Sequence, residues 1–152
     1  MKSAPKRKLL VFVCSGNTCR SPMAEALLRT DSRLPDDWEV ASAGLHCSVG
    51  SFPSRGSVAA LREKGIDIAS HRTRPMTDAL AASATLLVAM TAAHAAELRV
   101  RFPHAAQRVR LLAEFAPDRR DVGDPFGMPL PSYRDCRDDI LAALPKLIEA
   151  LD

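Results

Sequence analysis

The stretch Cys14-x5-Arg20-Ser21, near the start of this 152-residue chain, has residue types and spacing suited to chemistry on an anion. An apolar run that favours a β-strand ends at Cys14, and Pro22, a residue preferred at the first position of a helix, follows the stretch. A tight loop between a strand and a helix can turn several backbone N–H groups inward, and such a nest binds a tetrahedral anion. We therefore expect a phosphoryl group to bind here, beside a cysteine thiol.

Each reactive side chain of this loop has an expected task. The helix N-terminus and the guanidinium of Arg20 favour negative charge, so Cys14 is expected to act as a thiolate nucleophile. Arg20 presents a planar fork that can hold two phosphoryl oxygens, which lysine cannot do. The Ser21 hydroxyl is expected to donate to the Cys14 sulfur. Gly16 and Asn17 are residue types that tolerate the left-handed backbone of a cradle.

The elements around the loop alternate between strands and helices. Apolar runs predict strands at 8–13, 38–43, 85–90 and 108–112. Apolar spacing and helix-end signals predict helices at 22–29, 54–64, 75–82, 92–101 and 132–151, and the proline- and glycine-rich stretch 113–131 is expected to be a loop. This order predicts one α/β domain, Rossmann-like, with a four-stranded parallel twisted sheet and helices on both faces. Ligands of such folds bind beyond the carboxyl ends of the strands, where the cradle lies.

Charge and hydropathy exclude two classes of partner. The first eight residues carry four of the 21 cations and no acid, so the rest of the chain holds 17 cations against 18 acids. We therefore expect a basic tail at 1–7 and a folded domain at 8–152, with no basic face for nucleic acid. No stretch approaches the roughly 18 apolar residues that a membrane span requires. A monomer that binds no membrane is expected.

The four cysteines, at positions 14, 19, 47 and 136, are expected to be free thiols. A chain of this size folds without disulfides, and free thiols suit a reducing compartment, so a cytoplasmic location is expected. The cysteines form no Cys-x2-Cys pair and have no histidine at ligand spacing, which argues against a metal site. No cofactor is expected.

Four separated motifs resemble those of the low-molecular-weight protein tyrosine phosphatases. They are VCSGNTCRSPMAE at 13–25, ASAG at 41–44, GID at 65–67 with His71, and DPF at 124–126. The resemblance covers nearly the whole chain and implies that family's phosphotyrosine phosphatase fold. It also implies a cysteine-dependent protein phosphatase that hydrolyses phosphorylated side chains through a phosphocysteine intermediate.

The resemblance assigns further roles around the phosphate loop. Asp124, stiffened by Pro125, matches the general acid that protonates the leaving atom and later activates water; Asp118 and Asp121 do not precede a proline. The loop residues are Ser15, Gly16, Asn17, Thr18, Cys19 and Ser21. Asn17, Ser42 and His71 match positions that support the cradle through hydrogen bonds. Cys19 either traps oxidised Cys14 as a disulfide or only packs under the helix. No role is assigned to His46, His94, His104, Cys47 or Cys136.

Two positions bear on the phosphorylated side chain. Thr18 stands where tyrosine-directed members of the family carry a bulky aliphatic residue and where protein-arginine phosphatases carry threonine. Phe126 is followed by Gly127 rather than by a second aromatic residue, and it could pack against a flat guanidinium or a phenol. We therefore favour phosphoarginine slightly over phosphotyrosine, with a protein-tyrosine phosphatase as the alternative.

More distant alternatives share the loop. Arsenate reductases need two closely spaced cysteines in the middle of the chain, and residues 65–120 contain none. A phosphocarrier domain would use the cysteine only as a relay, against which Arg20 and Asp124 argue. A non-catalytic phosphate-binding module requires a degenerate site, whereas each catalytic position holds a competent residue.

Overall fold

Four short apolar strands form the sheet, in keeping with a sheet covered on both faces. In chain order they are β1 (Lys8–Cys14), β2 (Trp38–Gly44), β3 (Leu86–Ala89) and β4 (Val109–Leu111). The structure, a computed structural model, describes residues 7–152. Its strands pair in parallel in the order β2-β1-β3-β4, which confirms the predicted four-stranded sheet.

Helices connect the strands, and three of them begin at a serine or threonine. They are α1 (Arg20–Arg29), α2 (Arg55–Arg62), α3 (Asp78–Ser83), α4 (Ala92–Arg101) and α5 (Leu130–Ala150). The side chains of Ser54, Thr77 and Thr91 accept hydrogen bonds from the backbone N–H groups in the first turns of α2, α3 and α4. Such caps satisfy donors that a helix start leaves free. None of the helices within 7–152 is long and apolar enough to cross a membrane.

Alternation along β1 divides the core into two layers. Leu10 and Phe12 pack with residues of α1, α2 and α5, whereas Val11 and Val13 pack with residues of α3 and α4. All four side chains are fully buried. Successive side chains of a strand point to opposite faces, so this central strand fixes both layers. The helices therefore cover both faces of the sheet, as predicted.

The strand order creates a crevice at the carboxyl end of β1. From β1 the chain moves to β2 on one side and then crosses to β3 on the other. At such a switch point the two crossing connections diverge and leave an opening for a ligand. Just beyond β3, Met90 donates its N–H to Val13 O and accepts from Val122 N–H, each at 3.1 Å. The loop 116–129 before α5, called the late loop below, is thus attached to the sheet beside the end of β1.

Three predicted helix starts are wrong. Helix α1 begins at Arg20, two residues before Pro22. The segment before α3 is extended: Pro75 forms a parallel bridge with Gly44, and Met76 donates its N–H to Gly44 O at 2.8 Å. Pairing with the sheet therefore delays α3 to Asp78. Helix α5 starts two residues earlier than predicted, at Leu130, because Pro131 fits the first turn, where no N–H is needed.

Two short segments and the tail also differ from the sequence-based expectation. Tight 3-10 turns form at Pro103–Arg108 and Leu112–Phe115, so the predicted strand 108–112 shortens to three residues and the predicted loop begins with a turn. Of the predicted tail, 1–7, residues 1–6 lie outside the described residues. Arg7 donates to Asp36 O at 2.9 Å and pairs with Glu39.

We predict that Gly56→Ala destabilises the protein. Alanine in helix α2 would gain about 1 kcal/mol of helix propensity over glycine. However, a Cβ at Gly56 would lie 2.3 Å from the ring of buried Tyr133, and overpacking of this kind costs about 1–3 kcal/mol. In the middle of that range the clash costs more than the propensity gains, so we expect a net loss of about 1 kcal/mol in urea unfolding.

Gly123→Ala is the matched control. A Cβ at Gly123 meets nothing within 4 Å, and its φ is not in the left-handed region. Its unfolding midpoint should stay close to that of the wild type. A Gly56→Ala protein as stable as the wild type would show that Tyr133 moves aside at no cost.

Candidate active site

The thiol of Cys14 lies at the end of β1 and is almost fully buried. Its Sγ atom is 2.9 Å from Ser21 Oγ and accepts the backbone N–H of Asn17 at 3.3 Å. Asn17 Nδ2 donates to the same Ser21 oxygen at 2.9 Å. Because an amide nitrogen can only donate, Ser21 keeps its own proton for the sulfur. Both contacts to Cys14 are therefore donors that favour the thiolate.

Asn17 holds the loop in its turned conformation. Its φ is 55°, in the left-handed region, and its side chain is fully buried. Nδ2 also donates to Ser42 Oγ at 3.0 Å, Oδ1 accepts from Arg74 N–H at 2.9 Å, and the backbone carbonyl lies 2.9 Å from His71 Nε2. A carbonyl can only accept, so His71 carries its proton on Nε2. Two of the predicted supports, Ser42 and His71, thus contact Asn17 directly.

The network continues to Glu25, a residue without a predicted role. Ser42 accepts from Asn17, and its hydroxyl donates to Glu25 Oε1 at 2.7 Å. Glu25, on helix α1, in turn pairs with Arg29. Glu25 stands in the first family-like motif, which was the one available signal. This carboxylate fixes the direction of the hydrogen bonds that run to the cradle.

The end of β2 lies in close contact with the phosphate loop. Gly44 pairs with Cys14 in the sheet, and a Cβ on Gly44 would lie 2.7 Å from both Ser15 O and Cys47 Sγ. The next residues donate N–H groups at 2.9 Å, Leu45 to Cys14 O and His46 to Ser15 O. Only glycine permits this close approach, which accounts for the ASAG motif at 41–44.

Thr18 and Cys19 are held from the side of helix α2. Ser54 donates its N–H to Thr18 O at 3.0 Å, and the hydroxyl of Ser57 donates to the same oxygen at 3.2 Å. Cys19 Sγ lies 3.2 Å from Ser54 Oγ and 3.8 Å from the Tyr133 hydroxyl. The buried Cys19 thiol is a free thiol in this structure and contacts α2 and α5. Ser54, Ser57 and Tyr133 are supports that local sequence signals did not reveal.

Arg20 links the cradle to the late loop. Its side chain is 8% exposed, Nη1 donates to Val122 O at 3.1 Å, and Nη2 lies 3.7 Å from Asp124 Oδ2. The Asp124 carboxyl is 57% exposed and accepts the N–H of Phe126 through Oδ1 at 3.1 Å. A buried guanidinium and an accessible carboxyl thus face the same opening.

A cavity of about 400 Å³ opens over the thiol. Its lining comprises Cys14, Ser15, Gly16, Thr18, Cys19, Arg20, His46, Cys47, Ser48, Ser51, Thr73, Asp124 and Phe126. The predicted nucleophile, phosphate clamp, acid and substrate contacts are thereby brought together. The other predicted site residues, Asn17, Ser21, Ser42 and His71, do not line the cavity and support the loop from behind.

Three of the residues without an assigned role lie at the cavity or contact the phosphate loop, whereas Cys136 does not. His46 and Cys47 line the cavity, and His94 contacts Ser15. Burial raises the pKa of Cys47 and that of Cys136, and Cys136 lies in the core on α5. Within 7–152, no three His, Cys, Asp or Glu residues are grouped so as to hold a metal ion.

A parallel sheet with a thiol, a guanidinium and a carboxyl gathered at its switch point is the arrangement of an α/β cysteine-dependent phosphatase. The chain belongs to the low molecular weight phosphotyrosine protein phosphatase family, whose model matches residues 9–152. The family predicted from the sequence is therefore confirmed. So are the protein phosphatase activity and the fold.

Three related proteins illustrate the range of the family. A protein-arginine-phosphatase of Geobacillus stearothermophilus is 41% identical over 143 residues, which cover 93% of this chain and 95% of the relative. The structure of a Cys-to-Ser mutant of the YwlE arginine phosphatase, with a phosphorylated active-site serine, has a TM-score of 0.85 at 36% identity and covers 94% and 95% of the two chains. An arsenate reductase of Staphylococcus aureus is 30% identical over 91% of this chain and 94% of its own.

We predict that Ser21→Ala makes Cys14 less reactive as a thiolate. The variant removes the hydroxyl that donates to Sγ, a hydrogen bond to a charged group worth about 1.5–3 kcal/mol. The rate of alkylation by iodoacetamide at neutral pH should fall about tenfold. Ser83→Ala, which removes an exposed hydroxyl bonded only to Ala79 O, should leave this rate unchanged. An unaltered alkylation rate in Ser21→Ala would contradict the assigned direction of the hydrogen bond.

Proposed function

We propose that this phosphatase hydrolyses phosphoarginine in protein substrates in preference to phosphotyrosine, with Cys14 as nucleophile, Arg20 as phosphate clamp and Asp124 as general acid and base. The observation that carries the catalytic roles is that these three side chains line one cavity. Thr18 lines the same cavity and carries the choice of substrate.

In the first step, the Cys14 thiolate attacks phosphorus and the bond to the leaving nitrogen or oxygen breaks. Asp124 donates its proton to the leaving atom, which departs as a neutral guanidine or phenol. The phosphorylated active-site serine of the related YwlE mutant supports a covalent phosphoenzyme. Arg20, held in place by Val122 O, binds two oxygens of the group as it transfers.

In the second step, the Asp124 carboxylate takes a proton from water, and the water oxygen attacks the phosphocysteine. Inorganic phosphate leaves and the Cys14 thiolate returns. The Ser21 hydroxyl, 2.9 Å from Sγ, stabilises that leaving thiolate. The same hydrogen bond thus serves both steps.

We predict that Asp124→Asn separates the two steps. The variant cannot protonate the leaving atom, so kcat/KM on phosphoarginine and phosphotyrosine peptides should fall by about 10²–10⁴, the usual contribution of a general acid. With p-nitrophenyl phosphate, whose leaving group departs without a proton, a rapid burst of nitrophenolate should remain, followed by slow turnover. Asp118→Asn, in the same loop, should behave as the wild type. Absence of a burst would show that hydrolysis of the phosphocysteine does not depend on Asp124, and wild-type turnover of the peptides would assign the general acid to another residue.

The walls of the cavity suit the guanidinium of phosphoarginine better than the phenol ring of phosphotyrosine. Phe126 is its one aromatic hydrocarbon ring among the described residues, and it is 67% exposed. Phe52, the other candidate, stacks under the guanidinium of Arg72 at 4.0 Å. Five hydroxyl-bearing residues form much of the remaining wall; they are Ser15, Thr18, Ser48, Ser51 and Thr73. With one exposed aromatic ring and several hydroxyl groups, the wall offers little aromatic contact to a tyrosine ring.

We predict that Thr18→Ile shifts the preference towards phosphotyrosine. The wild type should hydrolyse a phosphoarginine peptide with a higher kcat/KM than a matched phosphotyrosine peptide. Isoleucine adds apolar surface and removes the hydroxyl, so the ratio should change by about tenfold or more. The control is Thr85→Ile, at an exposed position directly before β3, at the opposite end of the strand from the cavity. A wild type that prefers phosphotyrosine by a wide margin would favour the second candidate, a protein-tyrosine phosphatase, to which the family description points.

The cysteines bear on three further proposals: the response to oxidation, the cellular location and the exclusion of arsenate reduction. Cys19 is the thiol nearest to Cys14 along the chain, and we propose that it captures oxidised Cys14 as a disulfide. The free thiols of the four cysteines support a cytoplasmic location. We also propose a monomer that acts on phosphorylated proteins and binds neither nucleic acid nor membrane. Residues 65–120 lack the cysteine pair that a thiol relay needs, which argues against arsenate reduction.

A further inference from the structure

The imidazole of His94 contacts the phosphate loop but takes no part in the reaction scheme above. It lies in the first turn of α4, is 7% exposed, and places Nε2 2.9 Å from Ser15 Oγ. The same helix start also contacts the late loop, because Ala92 donates its N–H to Asp121 Oδ1 at 3.0 Å. One helix turn therefore touches both the residue after the nucleophile and the segment that precedes the acid.

The environment of His94 keeps the imidazole neutral. Burial, with a smaller contribution from the charge of Arg20, lowers the pKa of His94 to about 4, and the carboxylates of Glu97, Asp121 and Asp124 only partly oppose this. At neutral pH the ring therefore carries a single N–H. It can donate from one nitrogen and accept at the other, but not donate from both.

The unpaired nitrogen indicates where that proton is. His94 Nδ1 is buried and has no hydrogen-bond partner among residues 7–152. A proton on Nδ1 would leave a buried donor unpaired, whereas a proton on Nε2 leaves only a lone pair unpaired; orphaned buried N–H groups are the rarer case in proteins. With the proton on Nε2, the imidazole donates to Ser15 Oγ. The Ser15 hydroxyl then keeps its own proton for another acceptor.

We propose that His94 is a positioning residue that turns the Ser15 hydroxyl proton towards an oxygen of the bound phosphoryl group. Ser15 lines the cavity directly beside Cys14, and its backbone is fixed because Ser15 O accepts from His46 N–H. The fork of Arg20 holds two phosphoryl oxygens, and Ser15 contributes a donor to the third. The inference rests on the proposed function, since it assigns one contact to the group that is transferred.

A double-mutant cycle of Ser15→Ala and His94→Leu tests this pair. Two quantities are measured for each protein: the inhibition constant of inorganic phosphate, and kcat/KM on p-nitrophenyl phosphate from pH 5 to 8. Each single variant should weaken phosphate binding and lower kcat/KM by about tenfold, as expected for one hydrogen bond to a charged group. The double variant should be no worse than Ser15→Ala, because residues that act as a unit are not additive.

Three further variants separate positioning from packing. His94→Gln can place an N–H near the former Nε2 and should recover most of the loss, whereas His94→Asn, with a shorter reach, should not. Leu98→Ala, a buried residue on the same helix, should lower the unfolding temperature without changing the phosphate inhibition constant. Because the His94 ring is neutral across this pH range, the pH profile of His94→Leu should keep the shape of the wild-type profile.

Several outcomes would overturn the proposal. They are a His94→Leu protein with wild-type phosphate affinity, a further tenfold loss on adding His94→Leu to Ser15→Ala, or a pH limb that disappears with His94. Should His94→Leu fail to fold, the same cycle is decided with His94→Asn. If the wild type hydrolyses no phosphorylated substrate, the proposed function fails, while phosphate affinities measured by calorimetry still decide the contribution of His94.

Discussion

The left-handed backbone of Asn17 is the constraint on which the site depends. This conformation is unfavourable for a residue with a Cβ, and here it directs the Asn17 N–H at the Cys14 sulfur. The loop keeps it because each polar group of the Asn17 side chain is bonded, to Ser21, Ser42 and the backbone of Arg74. A fully satisfied buried network of this kind has one low-energy arrangement, so the thiol is fixed before a ligand arrives.

The rest of the fold supplies that network from distant parts of the chain. β1 delivers the thiol, β2 delivers Ser42 and the close approach of Gly44, and the extended segment before α3 delivers the N–H of Arg74. These pieces meet because β2 and β3 flank β1. The crevice that results is where open α/β sheets bind ligands.

Cradle and acid differ in how firmly they are held. The cradle is held by hydrogen bonds behind its open face, whereas Asp124 stands on a loop with more than half of its carboxyl exposed. Arg20 joins the two, since it is buried with the cradle and donates to Val122 O in the loop. A fixed nucleophile with an accessible acid suits a protein substrate, because the phosphorylated side chain must enter from a surface. Thr18 and Phe126 lie at the wall of the cavity that this side chain must enter.

The sequence by itself determined the features that rest on neighbouring residues. An apolar run, a polar loop and Pro22 specify strand, loop and helix, and the spacing of Cys14 and Arg20 specifies an anion site; the motifs then pointed to Asp124, Ser42 and His71. Only the tertiary structure decided which distant groups complete the site, among them Glu25, Ser54, Tyr133 and His94. It also decided where α3 begins, since Gly44 draws Pro75 and Met76 into sheet pairing. The physical reason is that local signals report backbone preference, whereas these contacts depend on the order of the strands. That order brings residues that are 17 to 114 positions apart in the sequence into hydrogen-bond distance.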